Sequence, residues 1–191
     1  MQISGPRNGR QQLRLWGDDI PSLGLKRYII GDYVEQLLAG YFKAERLKTD
    51  SKADICPDLR LPTGDYAEVK SCGRSNQIIL YEGRVAKYEQ FTNEGNRLYY
   101  IVFCHDLETD NLTKTEDLPL LEQHLKHVLV APSREVHKLV EDKPLKVMQR
   151  KLVDTPYHKG WSLGSNELKK HLTISYHYKS KPFYYWRTNE T

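Results

Sequence analysis

From residue 25 to 46, Ile29, Ile30, Tyr33, Val34, Leu37, Leu38, Tyr41 and Phe42 recur at helical spacing, which predicts a long helix with one broad apolar face. The period then changes. Residues 53–61 and 66–72 read as two short strands, and Pro62-Thr63-Gly64-Asp65 between them has the chemistry of a hairpin turn. A third strand over 77–80 leads into a helix from about residue 81 to 92, with Val85, Tyr88 and Thr92 on one face and Arg84, Lys87 and Phe91 on another. Residues 98–104 and 127–131 read as buried strands, separated by a polar loop at 106–117 and a short helix at 118–125. Pro132-Ser133 predicts a further helix start, with Ser133 as N-cap and an end near Glu141.

The flanks are less regular. Residues 1–22 carry Arg7, Arg10 and Arg14 without sustained period and read as a polar arm, flexible or docked. Beyond residue 141, 167–171 reads as helical and 172–178 alternates as a strand, with Ile174, Tyr176 and Tyr178 on one face and Thr173, Ser175, His177 and Lys179 on the other. The expectation is one α/β domain, a mixed sheet flanked by helices, with a core at 23–141 and a basic, aromatic extension at 142–191.

Composition narrows the class. The 191 residues are 39% hydrophobic and 28% charged, ordinary globular usage that argues against a mostly disordered chain. A net charge of +4 is compatible with a nucleic-acid partner without requiring one. No apolar run reaches bilayer length and residues 1–7 lack a signal-peptide core, so a soluble, cytoplasmic protein without a membrane partner is expected. The three cysteines, Cys56, Cys72 and Cys104, form no Cys-x-x-Cys pair and support neither a disulfide framework nor a four-thiolate site. Cys104-His105-Asp106 fits no zinc spacing, and nothing points to an activated thiol.

The hairpin carries the chemistry. Strand alternation points Glu68 and Lys70 to one face and Val69 to the other, and the turn brings Asp58 alongside. Two carboxylates and an ammonium group then converge, the set that metal-assisted phosphodiester hydrolysis needs. Asp54 competes with Asp58 because residues 54, 56 and 58 share a strand face; the preceding proline favours Asp58. The blander reading is a cross-strand ion pair on a solvated face.

Ile55-Cys56-Pro57-Asp58-Leu59 followed by Tyr66-Ala67-Glu68-Val69-Lys70-Ser71 resembles the PD-(D/E)XK nuclease superfamily, and most closely its archaeal-type Holliday junction resolvases. The resemblance covers about residues 25–105. It implies a restriction-endonuclease-like fold, Mg²⁺ with Mn²⁺ able to substitute, and metal binding by Asp58, Glu68 and the Val69 backbone carbonyl. Glu35, in Gly31-Asp32-Tyr33-Val34-Glu35, matches the first-helix glutamate that approaches the metal. Lys70 would serve the attacking water, and Gln77 would sit beside the site. Arg74, Arg84, Lys87, Lys179 and Lys181 are the candidate DNA contacts. DNA, duplex or branched, and a second copy of the chain in a homodimer are the expected partners. The location implied is the nucleoid, or the host cytoplasm for a phage-encoded chain. Alternatives are a sequence-specific restriction-type enzyme, a phage or repair nuclease, and a DNA-binding module that keeps the fold without chemistry. The segment 176–187 interleaves aromatics with basic residues, which suits either stacking on unpaired bases or an edge strand packed on the sheet.

Overall fold

A computed structural model describes residues 23–47, 56–108, 111–148, 158–178 and 180–186. The predicted arm, Asp54 and Lys179 lie outside the described residues. Helix α1 (Leu23–Phe42) is followed by β1 (Glu45–Arg46), β2 (Leu59–Arg60), β3 (Tyr66–Cys72), β4 (Gln77–Tyr81), α2 (Glu82–Asn93) and β5 (Leu98–His105). Then come α3 (Leu120–Gln123), β6 (Leu125–Pro132), α4 (Ser133–Glu141), β7 (Lys146–Met148), β8 (His158–Gly164), α5 (Ser165–Lys169), β9 (Leu172–Tyr178) and β10 (Lys181–Trp186). The strands form a mixed seven-stranded sheet, β1-β2-β3-β5-β6-β10-β9, and a second sheet, β4-β8-β7. The protein is an α/β fold with a mixed central sheet flanked by helices.

Strand alternation sorts the core into two halves. Ala67, Val69, Ile101, Phe103, Val128 and Val130 face α1, where Ile29, Ile30, Val34 and Leu38 are buried against them. The opposite face, carrying Cys72, Tyr100, Val102, Cys104, Leu129 and Ala131, is covered by α2, α4 and the second sheet through Ile78, Leu80, Val85, Tyr88, Val136 and Leu163. Glu68 therefore points into the half that α2 covers. The pairing of β3 with β5 is parallel and that of β5 with β6 antiparallel, and these three adjacent strands carry core residues on both faces.

Helix α1 ends four residues earlier than its apolar period suggested. Lys43 adopts φ 52°, and the Ala44 and Lys43 amides donate to the Ala39 and Gly40 carbonyls at 2.8 and 3.4 Å, a Schellman closure. The chain thus reverses into β1, which pairs with β2. The hairpin closes at the expected turn, with Gly64 at φ 85° and its amide on the Leu61 carbonyl at 2.9 Å, but among the described residues its first strand is Leu59–Arg60 rather than the longer run expected from 53–61. Two expectations need correction. Strand β4 leaves the hairpin's sheet and pairs with β8, because the turn at 73–76 carries it onto the face α2 covers. Ser133 is the first helical residue of α4 rather than its N-cap; Pro132 takes the cap position, and the buried Ser133 hydroxyl has no hydrogen-bond partner among the described residues.

The segment beyond residue 141 is built into both sheets. Strand β10 lies between β6, to which it is parallel, and β9, to which it is antiparallel. Phe183 is 1% exposed and meets Phe42 edge-on at 5.7 Å between ring centres. Of the two readings of 176–187, the packed strand is the one observed for its described side chains. Gly160 on β8 is required by close approach, since a Cβ there would stand 2.6 Å from the Leu80 carbonyl oxygen. No helix among the described residues is long and apolar enough to cross a membrane.

Candidate active site

Strand β2 is two residues long, and its ladder with β3 stops at the Leu59–Ala67 pair. Continued by one step, that register sets Asp58 opposite Glu68, just where the edge of β3 loses its strand partner. Asp58 fills the vacancy with its side chain: Oδ2 accepts the Val69 amide at 2.7 Å. The motif residues therefore meet at the frayed end of a hairpin, where backbone groups have left the ladder.

Glu68 is 1% exposed and carries three donors. Lys70 Nζ donates to Oε1 and the Tyr88 hydroxyl to Oε2, while Arg84 Nη1 lies 3.2 Å from Oε1 and donates to the Tyr88 oxygen at 3.0 Å. Burial alone would push the Glu68 carboxyl up; the Lys70 ammonium, the Arg84 guanidinium and the hydrogen bonds of Lys70 and Tyr88 outweigh it and hold the group below its usual range. Glu68 is an anion inside the protein. Asp58 responds oppositely: burial first, then the charges of Glu68 and Glu35, push its carboxyl well above the ordinary value against the opposing pull of Lys70 and the Val69 amide. Glu35 is raised by burial as well, with Arg46 opposing and Asp32 and Glu68 adding repulsion. Arg46, in β1, bridges Asp32 and Glu35 of α1 at 2.6 and 3.1 Å.

The hairpin and α1 thus bring Asp58, Glu68, Lys70 and Glu35 into one electrostatic cluster. Gln77 sits elsewhere, on β4, where its Oε1 accepts from the Ser162 hydroxyl at 2.6 Å. Arg84, expected on DNA phosphate, is turned inward onto Glu68. Arg74 is tied to Glu108 and donates to the Asp106 carbonyl at 3.2 Å. Lys87 is exposed on α2 and Lys181 half-buried at the start of β10. Sequence reasoning missed the parts of Tyr88, Arg84 and Arg46. Tyr88 read only as an apolar-face residue, but Arg84 and Tyr88 stand one helical turn apart, a spacing that lets both reach one acceptor.

No family model, curated protein or solved structure matches the chain.

Among the described residues, no group of three or more His, Cys, Asp and Glu is gathered so as to hold a metal ion. The donor types still suit a hard divalent cation: two carboxylates, Glu68 with its pKa lowered and Asp58 with its pKa raised by burial and by neighbouring negative charge, beside the backbone of Val69. A cation there would relieve the repulsion that raises Asp58. It would also compete with Lys70 and Arg84 for Glu68.

Proposed function

We propose that the chain is a Mg²⁺-dependent endodeoxyribonuclease of restriction-endonuclease-like fold, related in pattern to junction resolvases and working as a homodimer. The observation that carries this reading is the convergence of Asp58, Glu68 and Lys70 at the end of the β2–β3 ladder, with Glu68 kept anionic in a buried setting. Asp58, Glu68 and the Val69 carbonyl would hold the ion, which when bound would lower the pKa of an attacking water and offset charge on the scissile phosphate. Lys70 Nζ, seated on Glu68, would orient the attacking water and offset charge that develops on the phosphate. Arg84, half in solvent beside Glu68, would offer positive charge to an incoming phosphate. Tyr88 donates to Glu68 and fixes its rotamer. A dimer would place two such sites on the two strands of one duplex or junction.

The test is cleavage of a labelled four-way junction and its matching linear duplex with Mg²⁺, Mn²⁺ or EDTA, wild type against Lys70→Ala. Metal-dependent cutting that falls at least 100-fold in the variant is expected, and symmetric nicking of the junction alone would assign resolvase specificity. The engagement of Glu68 by two cations and a hydroxyl favours a second reading, a DNA-binding module that keeps the fold without chemistry. Retained DNA binding with no cut under either metal would replace the first reading with the second.

A further inference from the structure

A cavity of about 450 Å³ lies between α2, α4 and β8, apart from the Asp58–Glu68 cluster and unused by the chemistry proposed for it. Its size is that of a small-molecule site. Val85, Val140 and Trp161 supply apolar wall, and its polar lining includes Glu89, Arg134, His137, Lys138 and Glu141. The wall is tied to its neighbours. The Trp161 indole Nε1–H donates to the Lys143 carbonyl at 3.2 Å, and Gly160 beside it packs on the backbone of β4. Arg134 is held by the Thr92 carbonyl and Asn93 Oδ1 at 2.9 and 3.1 Å, both through Nη2.

The informative group is His137, whose side chain is 7% exposed. Its Nε2 lies 3.1 Å from the Tyr100 hydroxyl, a phenol that burial keeps protonated. With Nδ1 facing the Glu89 carboxylate, the ring proton is assigned to Nδ1, and Nε2 then accepts from the phenol. That Nδ1 has no hydrogen-bond partner among the described residues, and Glu89 Oε1 of the cavity wall stands 3.5 Å away. A buried N–H left unpaired costs about 1–3 kcal/mol, a cost a ligand acceptor would remove. A donor and an acceptor side by side, next to an indole wall, match a flat heterocycle whose edge presents an acceptor beside an N–H. A sugar lacks the flat face, and an aliphatic acid lacks the N–H.

We propose that this cavity binds a nucleobase, with the ring against Trp161, its edge on His137 Nδ1 and Glu89, and its phosphate toward Arg134. The base arrives either as a free nucleotide or as an unpaired base of a DNA strand; the second source rests on the nuclease reading above, and the first does not.

The test is calorimetric titration of the full chain, in EDTA so that no cleavage intervenes, with the four deoxynucleoside monophosphates, with deoxyribose 5-phosphate, and with a single-stranded oligonucleotide against its abasic counterpart. At least one base-bearing probe should bind tenfold or more tightly than its base-free partner. Glu89→Gln, at an exposed rim position, should weaken that binding at least tenfold, while Lys70→Ala leaves it unchanged. Mononucleotide binding alone assigns the free nucleotide as source, and preference for the intact oligonucleotide alone assigns the strand. Equal binding of base-bearing and base-free probes, or binding indifferent to Glu89→Gln, overturns the proposal whether or not the protein cuts DNA.

Discussion

Asp58 sits in its site at an energetic loss, because burial and two neighbouring carboxylates all disfavour its charge. Its folded pKa lies above the unfolded one, so the folded state gains from the proton at low pH and loses that gain as pH rises through the raised value. Asp58→Asn keeps an oxygen for the Val69 amide and removes the charge. In EDTA at pH 7 the variant should melt higher than wild type, and the difference should vanish in acid where Asp58 is already neutral. Adding Mg²⁺ should then raise the wild-type midpoint and leave the variant's in place, since ligand binding stabilises only the form that binds. An unchanged or lower melting point for the variant in EDTA would contradict this account of Asp58. Tyr88→Phe removes a donor from a buried carboxylate and should cost about 1–3 kcal/mol in urea unfolding. His137 behaves in the opposite sense from Asp58. Burial pushes its pKa down to about 4 from an ordinary 6.5, so the neutral ring's contribution is complete above pH 6.5 and is lost as pH falls toward 4. Urea midpoints of His137→Gln should therefore fall less steeply between pH 7 and 4 than those of wild type, by on the order of 3 kcal/mol across the interval.

At the level of elements, periodicity and turn residues made α1, the hairpin, α2, β5, β6 and α4 legible, because each buries one face and is bounded by ordinary punctuation. The stop of α1 was not legible, since Lys43 occupies the left-handed position where glycine or asparagine would have announced it. The membership of β4 was hidden for a different reason. A strand's alternation records which face is buried but not which strand lies beside it, and β4's partner β8 begins some eighty residues further on, a separation no local signal spans. The motif residues of the cluster were readable because a hairpin register is local; Arg46 and Arg84 were not, because charged residues of α2 and β1 read as solvated until the packing of those elements is known. Phe183 in β10 is the clearest element-level test: Phe183→Ala should cost about 3–5 kcal/mol in chemical denaturation by opening a void between α1 and the sheet.

For the molecule as a whole, the second sheet does more than cap the core. It fixes β8 against β4 and α2, so the helix that supplies Arg84 and Tyr88 to one site also supplies Val85 and Glu89 to the cavity beside it. The two sites share a scaffold while using different faces of it. The insertion of β10 between β6 and β9 has a consequence for synthesis. Strand β6 is complete at Pro132, yet its outer edge waits for residues 181–186 to be made, roughly fifty positions later. At the ribosome's pace that is several seconds during which Val128, Leu129 and Val130 present unpaired backbone and apolar side chains together, the combination that invites wrong partners. The nascent chain is most vulnerable after β6 has been translated and before β10 follows, and a holding chaperone has its natural window there.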